Sequence, residues 1–215
     1  MASAPRPSKT WRVQSYLEQR DREWPHEGKH VLAQYDEETV VVYQAYCPEI
    51  ADYAVKHQCF GGGKFSYSRM SWIKTNFLWM MYRAGWATKS RQDRILAVWL
   101  KREGFDQILS LALTGHDEKE KGAKRSPVRL QWDPDHTPSG TCEQRRAIQL
   151  GLRDEVLASY GKEWIVQIKD VTEFVNEQYE HVKKNQLSEL KVAEERVYPV
   201  TNTETAAQIY VDTLK

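Results

Sequence analysis

Between Phe60 and Arg102 the chain gathers its rings and its cations into one stretch. Phe60, Phe65, Tyr67, Trp72, Phe77, Trp79, Tyr82, Trp86 and Trp99 fall there. So do Lys64, Arg69, Lys74, Arg83, Lys89, Arg91, Arg94, Lys101 and Arg102, against the single acid Asp93. That much ring area must be taken out of water, so the stretch is read as the centre of a core. Its cations then either sit solvated at the core's edge on long stems or line an anion-binding face. Residue order alone leaves these two readings level. Any attraction to a polyanion has to be local, because the 215-residue chain carries 31 Lys and Arg against 30 Asp and Glu.

Apolar residues at 40% and charged residues at 28% describe a globular chain rather than a disordered one. The apolar runs are too short for a membrane span. The opening MASAPRPSKTWRVQ has no apolar signal core, which points away from secretion and toward a cytoplasmic or nuclear protein. Cys47, Cys59 and Cys142 are odd in number and far apart, which argues against a disulfide framework or a zinc ribbon.

The pattern predicts a helical turn around Trp11–Arg22 and strands at Val31–Tyr35 and Thr39–Ala45, the second (TVVVYQA) apolar enough to be buried on both faces. Pro48 starts a helix. Met70–Arg83 is apolar almost all round and reads as a buried helix stopped near Gly85. Arg94–Lys101 reads as a central strand, Phe105–Thr114 as a short helix and His116–Ser126 as a charged loop. Val128–Trp132 is a strand, Asp133–Cys142 a turn-rich loop, and Arg146–Leu152 either strand or helix. A helix over Asp154–Tyr160, a strand over Glu163–Lys169 and a long helix from Val171 to about Glu195 complete the reading. The irregular alternation gives an α+β domain with a mixed or split sheet over residues 11–175. Residues 1–10 are expected to be flexible, and 176–215 to be a helical extension and tail.

Several residue groups could carry chemistry. Asp133, Asp135 and His136, with Glu143, could hold a hard metal ion in a hydrolase or nuclease, although Asp-Pro and Asp-His are also ordinary turn residues. Glu143 could face a cleft, or be a solvated partner of Arg145 or Arg146. Gly61–Gly63 lacks the spacing of a phosphate loop. Arg69, with Ser66 and Ser68, could hold a phosphate, or lie free on the surface. His57 reads as a helix cap, and Cys59 has no base beside it in sequence.

The segments AQYDEETVVVYQAYCPEIADYAVKHQ, FSYSRMSWIKTNFLWMMYRAGW and VRLQWDPDH…EQRRAIQLGLR resemble the family called domain of unknown function 4291, over about Val31 to Val175. That family carries Arg where this chain has Cys47 and Pro where it has Thr75. The order of segments is also similar to that of ADP-ribosyltransferase-fold enzymes that modify nucleic acid. This second resemblance implies an NAD-dependent transferase. Its first strand would be TVVVYQAY, Gln44, Tyr46, Ser66, Ser68 and Arg69 would contact NAD, and Glu143 and Arg69 would be catalytic. Trp132, Asp133, His136 and Trp72 would meet the acceptor, a nucleic-acid base or end. It requires Glu143 and Arg69 to face one cleft. A non-catalytic nucleic-acid-binding module built on the basic aromatic stretch is the competing expectation, and the oligomeric state is open.

Overall fold

The computed structural model describes residues 8–120 and 125–213. The chain runs β1 (Val13–Ser15), α1 (Tyr16–Arg22), β2 (Gly28–Lys29), β3 (Leu32–Ala33), β4 (Thr39–Tyr46) and α2 (Pro48–His57). It continues through β5 (Ser71–Lys74), α3 (Phe77–Ala84), β6 (Arg94–Lys101), α4 (Arg102–Ser110), β7 (Ala112–Leu113) and α5 (Gly115–Glu120). Then follow β8 (Val128–His136), β9 (Cys142–Leu152), α6 (Asp154–Ser159), a π-helical turn at Tyr160–Trp164, and β10 (Ile165–Asp170). Last come α7 (Thr172–Lys183), β11 (Lys191–Ala193), β12 (Arg196–Val197) and α8 (Thr203–Gln208).

One mixed sheet organises the α+β domain, in the order β10-β6-β4-β5-β9-β8-β7, with β2 beside β9. The pairs are antiparallel except β7 with β8 and β2 with β9. The continuous apolar character of TVVVY has its cause here, because side chains alternate between two buried faces. Val40, Val42, Leu96, Val98, Ile148 and Leu150 join Phe105 and Ile108 of α4 in one core. Val41, Tyr43, Ile95, Ala97 and Trp99 join Phe77, Met80 and Met81 of α3 in the other. Each buried valine or leucine contributes about 1.5–3 kcal/mol, so the middle strands anchor the domain.

The sheet is split along its middle. β6 pairs with β4 from Thr39 to Tyr46, and β5 pairs with β9 from Ser71 to Lys74. Between β4 and β5 there is a single register pair, Tyr43 with Lys74. Gln44 replaces the missing ladder. Its Nε2 donates to the Trp72 carbonyl at 3.1 Å and to Ser71 Oγ at 2.8 Å, while Tyr160 Oη donates to its Oε1.

Four sequence readings are corrected or, for one left open, decided. Met70–Arg83 is not one helix: β5 occupies its first third, and α3 begins after Asn76, whose Oδ1 accepts from Trp79 N–H at 2.7 Å. The apolar text on both sides hides the change of period, and the cap asparagine is the signal. Gly85 does end α3, in the left-handed conformation at φ 59°, donating to the Met81 and Tyr82 carbonyls. Asp133–Cys142 is not a loop, because β8 runs to His136 and β9 starts at Cys142 around a short turn. Arg146–Leu152 is therefore strand. The fourth correction concerns the segment after residue 176. α7 ends at Lys183, and the chain returns as β11 against β1 and β12 against β3 rather than as a helical extension. Ser8 and Lys9 are tied to Gln167, Asp36 and Glu38, while the expectation for residues 1–7 lies outside the described residues.

Glu195, between β11 and β12, fastens that return. It is fully buried, and its Oε1 accepts from the Phe77 N–H at 2.6 Å, at the start of α3. Its own N–H donates to Gln19 Oε1, and its carbonyl accepts from Trp24 Nε1. Burial pushes the Glu195 carboxyl well above the usual range. The folded protein thus holds a proton that the unfolded chain releases near pH 4.3, so this group's stabilisation falls as pH rises above that value. Glu195→Gln removes the titration and keeps the acceptor, so its stability relative to wild type should rise between pH 5 and pH 8 in urea unfolding. Glu195→Ala leaves the Phe77 N–H without its partner and should cost about 1–3 kcal/mol at pH 5.

Candidate functional site

The split between β4 and β5 opens as a cleft of about 410 Å3 beneath α3. Its floor follows from register. Tyr43, Lys74, Gln149 and Gln131 lie opposite one another across β4, β5, β9 and β8, and so on one face of the sheet. Met70, Trp72 and Met80 supply apolar wall, and Arg83, Gln92, Gln131 and Gln149 supply polar lining.

Lys74 lies at the bottom with 7% of its surface exposed. Its Nζ sits 5.4 Å from the Trp79 ring centroid. Burial disfavours its charge and lowers its pKa to about 7; the Arg83 cation pushes the same way and the Asp133 carboxylate opposes. Asp133 borders the cleft through Gln149, whose Nε2 donates to Asp133 Oδ2 and to Gln131 Oε1. The site thus combines an ionisable amine, an exposed guanidinium and an indole wall, with the Asp133 carboxylate held by Gln149 at its edge. Such a set suits a phosphate-bearing ligand with a ring, and can move a proton near neutral pH.

The expected site residues divide into those the fold brings together and those it separates. Gln44, Tyr46 and Trp72 meet at the cleft. Gln44 and Tyr46 form its structural back wall, Tyr46 Oη lying 2.8 Å from Ser71 Oγ and from Gln44 Nε2. Ser66 and Ser68 are exposed and bonded to each other, and Arg69 is exposed just before β5. None of these three lines the cleft. Trp132 points to the opposite face from Gln131 and Asp133 and donates from Nε1 to the Ile209 carbonyl at 2.8 Å. His136 is buried against Tyr82.

The joint Glu143–Arg69 site does not assemble. Ser71 pairs with Leu152, so Arg69 lies beyond the far end of β9, whereas Glu143 is the second residue of that strand. Strand rise puts Glu143 about 20 Å from Gln149 and the cleft. Its charge instead acts on Tyr16 and His136. The hydrolase ligand set also fails to converge. Asp135 is buried in an ion pair with Arg145, Nε to Oδ2 2.6 Å, and Asp133 is held by Gln149. Among the described residues the ligand atoms that cluster within 4.8 Å belong to His116, Asp117 and Glu120.

Lys74 and Arg83 were passed over as site residues because they sat among core aromatics. The available signal was a lone lysine in the alternating strand text SWIK, on the same side as Trp72. Because folding lowers the Lys74 pKa from its unfolded value near 10.4 to about 7, its charge costs stability fully below pH 7 and the cost fades between pH 7 and pH 10.4. Lys74→Met should therefore stabilise the protein by on the order of a few kcal/mol at pH 6, and by much less at pH 9.5, in thermal or urea melts at the two values.

Among the described residues no helix is long and apolar enough to cross a membrane. No curated protein matches the chain. The sequence pattern of one family matches residues 30–198, a span that takes in the split sheet, α3, the β8–β9 hairpin and Glu195. The chain belongs to the family described as domain of unknown function (DUF4291).

Proposed function

We propose that the β4–β5 cleft binds NAD and that the chain is an ADP-ribosyltransferase-like enzyme. The observation that carries this reading is the meeting of Gln44, Tyr46 and Trp72 with Lys74 and Arg83 around one opening, with Asp133 bonded to Gln149 of its lining. The catalytic carboxylate in this reading is Asp133, because Glu143 lies too far away. Protonated Lys74 and Arg83 hold the pyrophosphate. Trp72 is the wall against which a nicotinamide or a base stacks. Breaking the nicotinamide–ribose bond leaves positive charge on the ribose, which the Asp133 carboxylate stabilises, and the incoming nucleophile gives up its proton there.

The polyanionic acceptor, nucleic acid first, is supported by the ground beside the cleft. Tyr82 is 45% exposed, Lys89 Nζ lies over its ring at 5.8 Å, and Arg83 stands between them and the opening. A binding module without catalysis would use the same surface.

Millimolar NAD should raise the melting temperature of the wild type by several degrees, and Arg83→Ala should lose the shift. Asp133→Asn should keep the shift and lower nicotinamide release by about 100- to 1000-fold, while Glu143→Gln should release it at the wild-type rate. The shift should weaken from pH 6 to pH 9 as Lys74 loses its proton. No shift at any pH overturns the reading. Nucleic-acid affinity that falls steeply with salt, without NAD turnover, would favour the binding module.

A further inference from the structure

The β8–β9 hairpin carries a second arrangement with chemistry of its own, away from the cleft. Cys142 opens β9 and stands in register with His136 at the end of β8. Its Sγ lies 3.6 Å from His136 Nε2. The cysteine is exposed, and the histidine is 4% exposed. The imidazole is held in place from two sides. Its ring stacks on Tyr82, with centroids 3.5 Å apart and planes within 10°, and its backbone N–H donates to Asp135 Oδ1 at 2.7 Å.

The other ring nitrogen, Nδ1, is buried and makes no well-formed hydrogen bond. Nε2 is the ring nitrogen that faces the thiol, and it can take the thiol proton when its lone pair is free. Burial holds the His136 pKa below the ordinary value, and the carboxylates of Asp135, Asp133 and Glu143 offset that only in part, so the ring rests neutral and free to act as a base. A solvent-facing thiol against a fixed imidazole is the arrangement in which a base takes the thiol proton as sulfur attacks. The other two cysteines are half-buried.

We propose that Cys142 is a nucleophilic thiol activated by His136, a modification site for peroxides and soft carbon electrophiles. The Cys142 proton passes to His136 Nε2. With hydrogen peroxide the thiolate sulfur attacks one oxygen, the S–O bond forms and the O–O bond breaks. The departing hydroxide takes the proton back from the imidazolium as water. Sulfur is oxidised by two electrons to the sulfenic acid, and the peroxide is reduced.

The test is site-resolved mass spectrometry of the intact protein during iodoacetamide labelling at pH 7, with N-acetylcysteine amide as the free-thiol standard. Cys142 should alkylate several-fold faster than the standard. His136→Phe, which keeps a ring on Tyr82, should slow it about tenfold while labelling of Cys47 and Cys59 stays the same. Brief peroxide followed by dimedone should mark Cys142 in the wild type and not in Cys142→Ser. Labelling no faster than the free thiol overturns the proposal, as does an unchanged rate in a folded His136→Phe. If that variant fails to fold, the comparison of wild type with the free thiol decides alone.

Discussion

The carboxyl of Glu195 is the contact on which most of the molecule leans. It closes the start of α3 by accepting from Phe77, and its backbone is gripped by Gln19 and Trp24 near the N-terminal end. Asn76 Nδ2 stands between it and Asp135, which is paired with Arg145, whose guanidinium in turn lies 5.0 Å from the Trp24 ring. Two acids and one cation share this dry space. A second buried carboxylate would cost several kcal/mol, so the lowest-energy arrangement gives Arg145 to Asp135 and a proton to Glu195. Elements from α1 to β12 thereby converge on one polar knot beneath the aromatic core.

The cleft exists because the sheet fails to zip. A full β4–β5 ladder would bring the backbones to about 4.8 Å and leave no room for a ligand. Gln44, Tyr46, Ser71 and Tyr160 instead satisfy one another with side chains. Side-chain bonds make the back wall polar without making it reactive. The reactive groups, Lys74 and Arg83, come from the front, on β5 and from α3.

Much of the fold could be read from residue order, since TVVVY and RILAVW announce two adjacent buried strands and Asn76 and Gly85 announce the limits of α3. The hidden part has physical causes. In Met70–Arg83 the change from strand to helix falls at the three polar residues Lys74, Thr75 and Asn76, too short a break to offset the apolar text on either side. DPDH looks like turn chemistry, yet Asp133 and Asp135 are spoken for by Gln149 and Arg145 across the strand pair, contacts made only after folding. At the candidate cleft, Gln44, Tyr46 and Trp72 were grouped by residue order and do lie together, whereas the separation of Glu143 from Arg69 depends on strand register. Register is set by long-range pairing that a single sequence does not display.

The pairing of β1 with β11 has a consequence for synthesis. Val13 meets Ala193, so the first strand of the chain waits for one that the ribosome makes near residue 193. At roughly 5–20 residues per second that wait lasts on the order of ten seconds or more. Once made, Phe77, Leu78, Met80 and Met81 of α3 have no cover from Val192 and Ala193 until that strand arrives, and Phe77 has no carboxyl at its amide. A nascent chain of this topology therefore carries its most apolar helix without that cover for about half of its elongation, until the segment bearing Glu195 emerges.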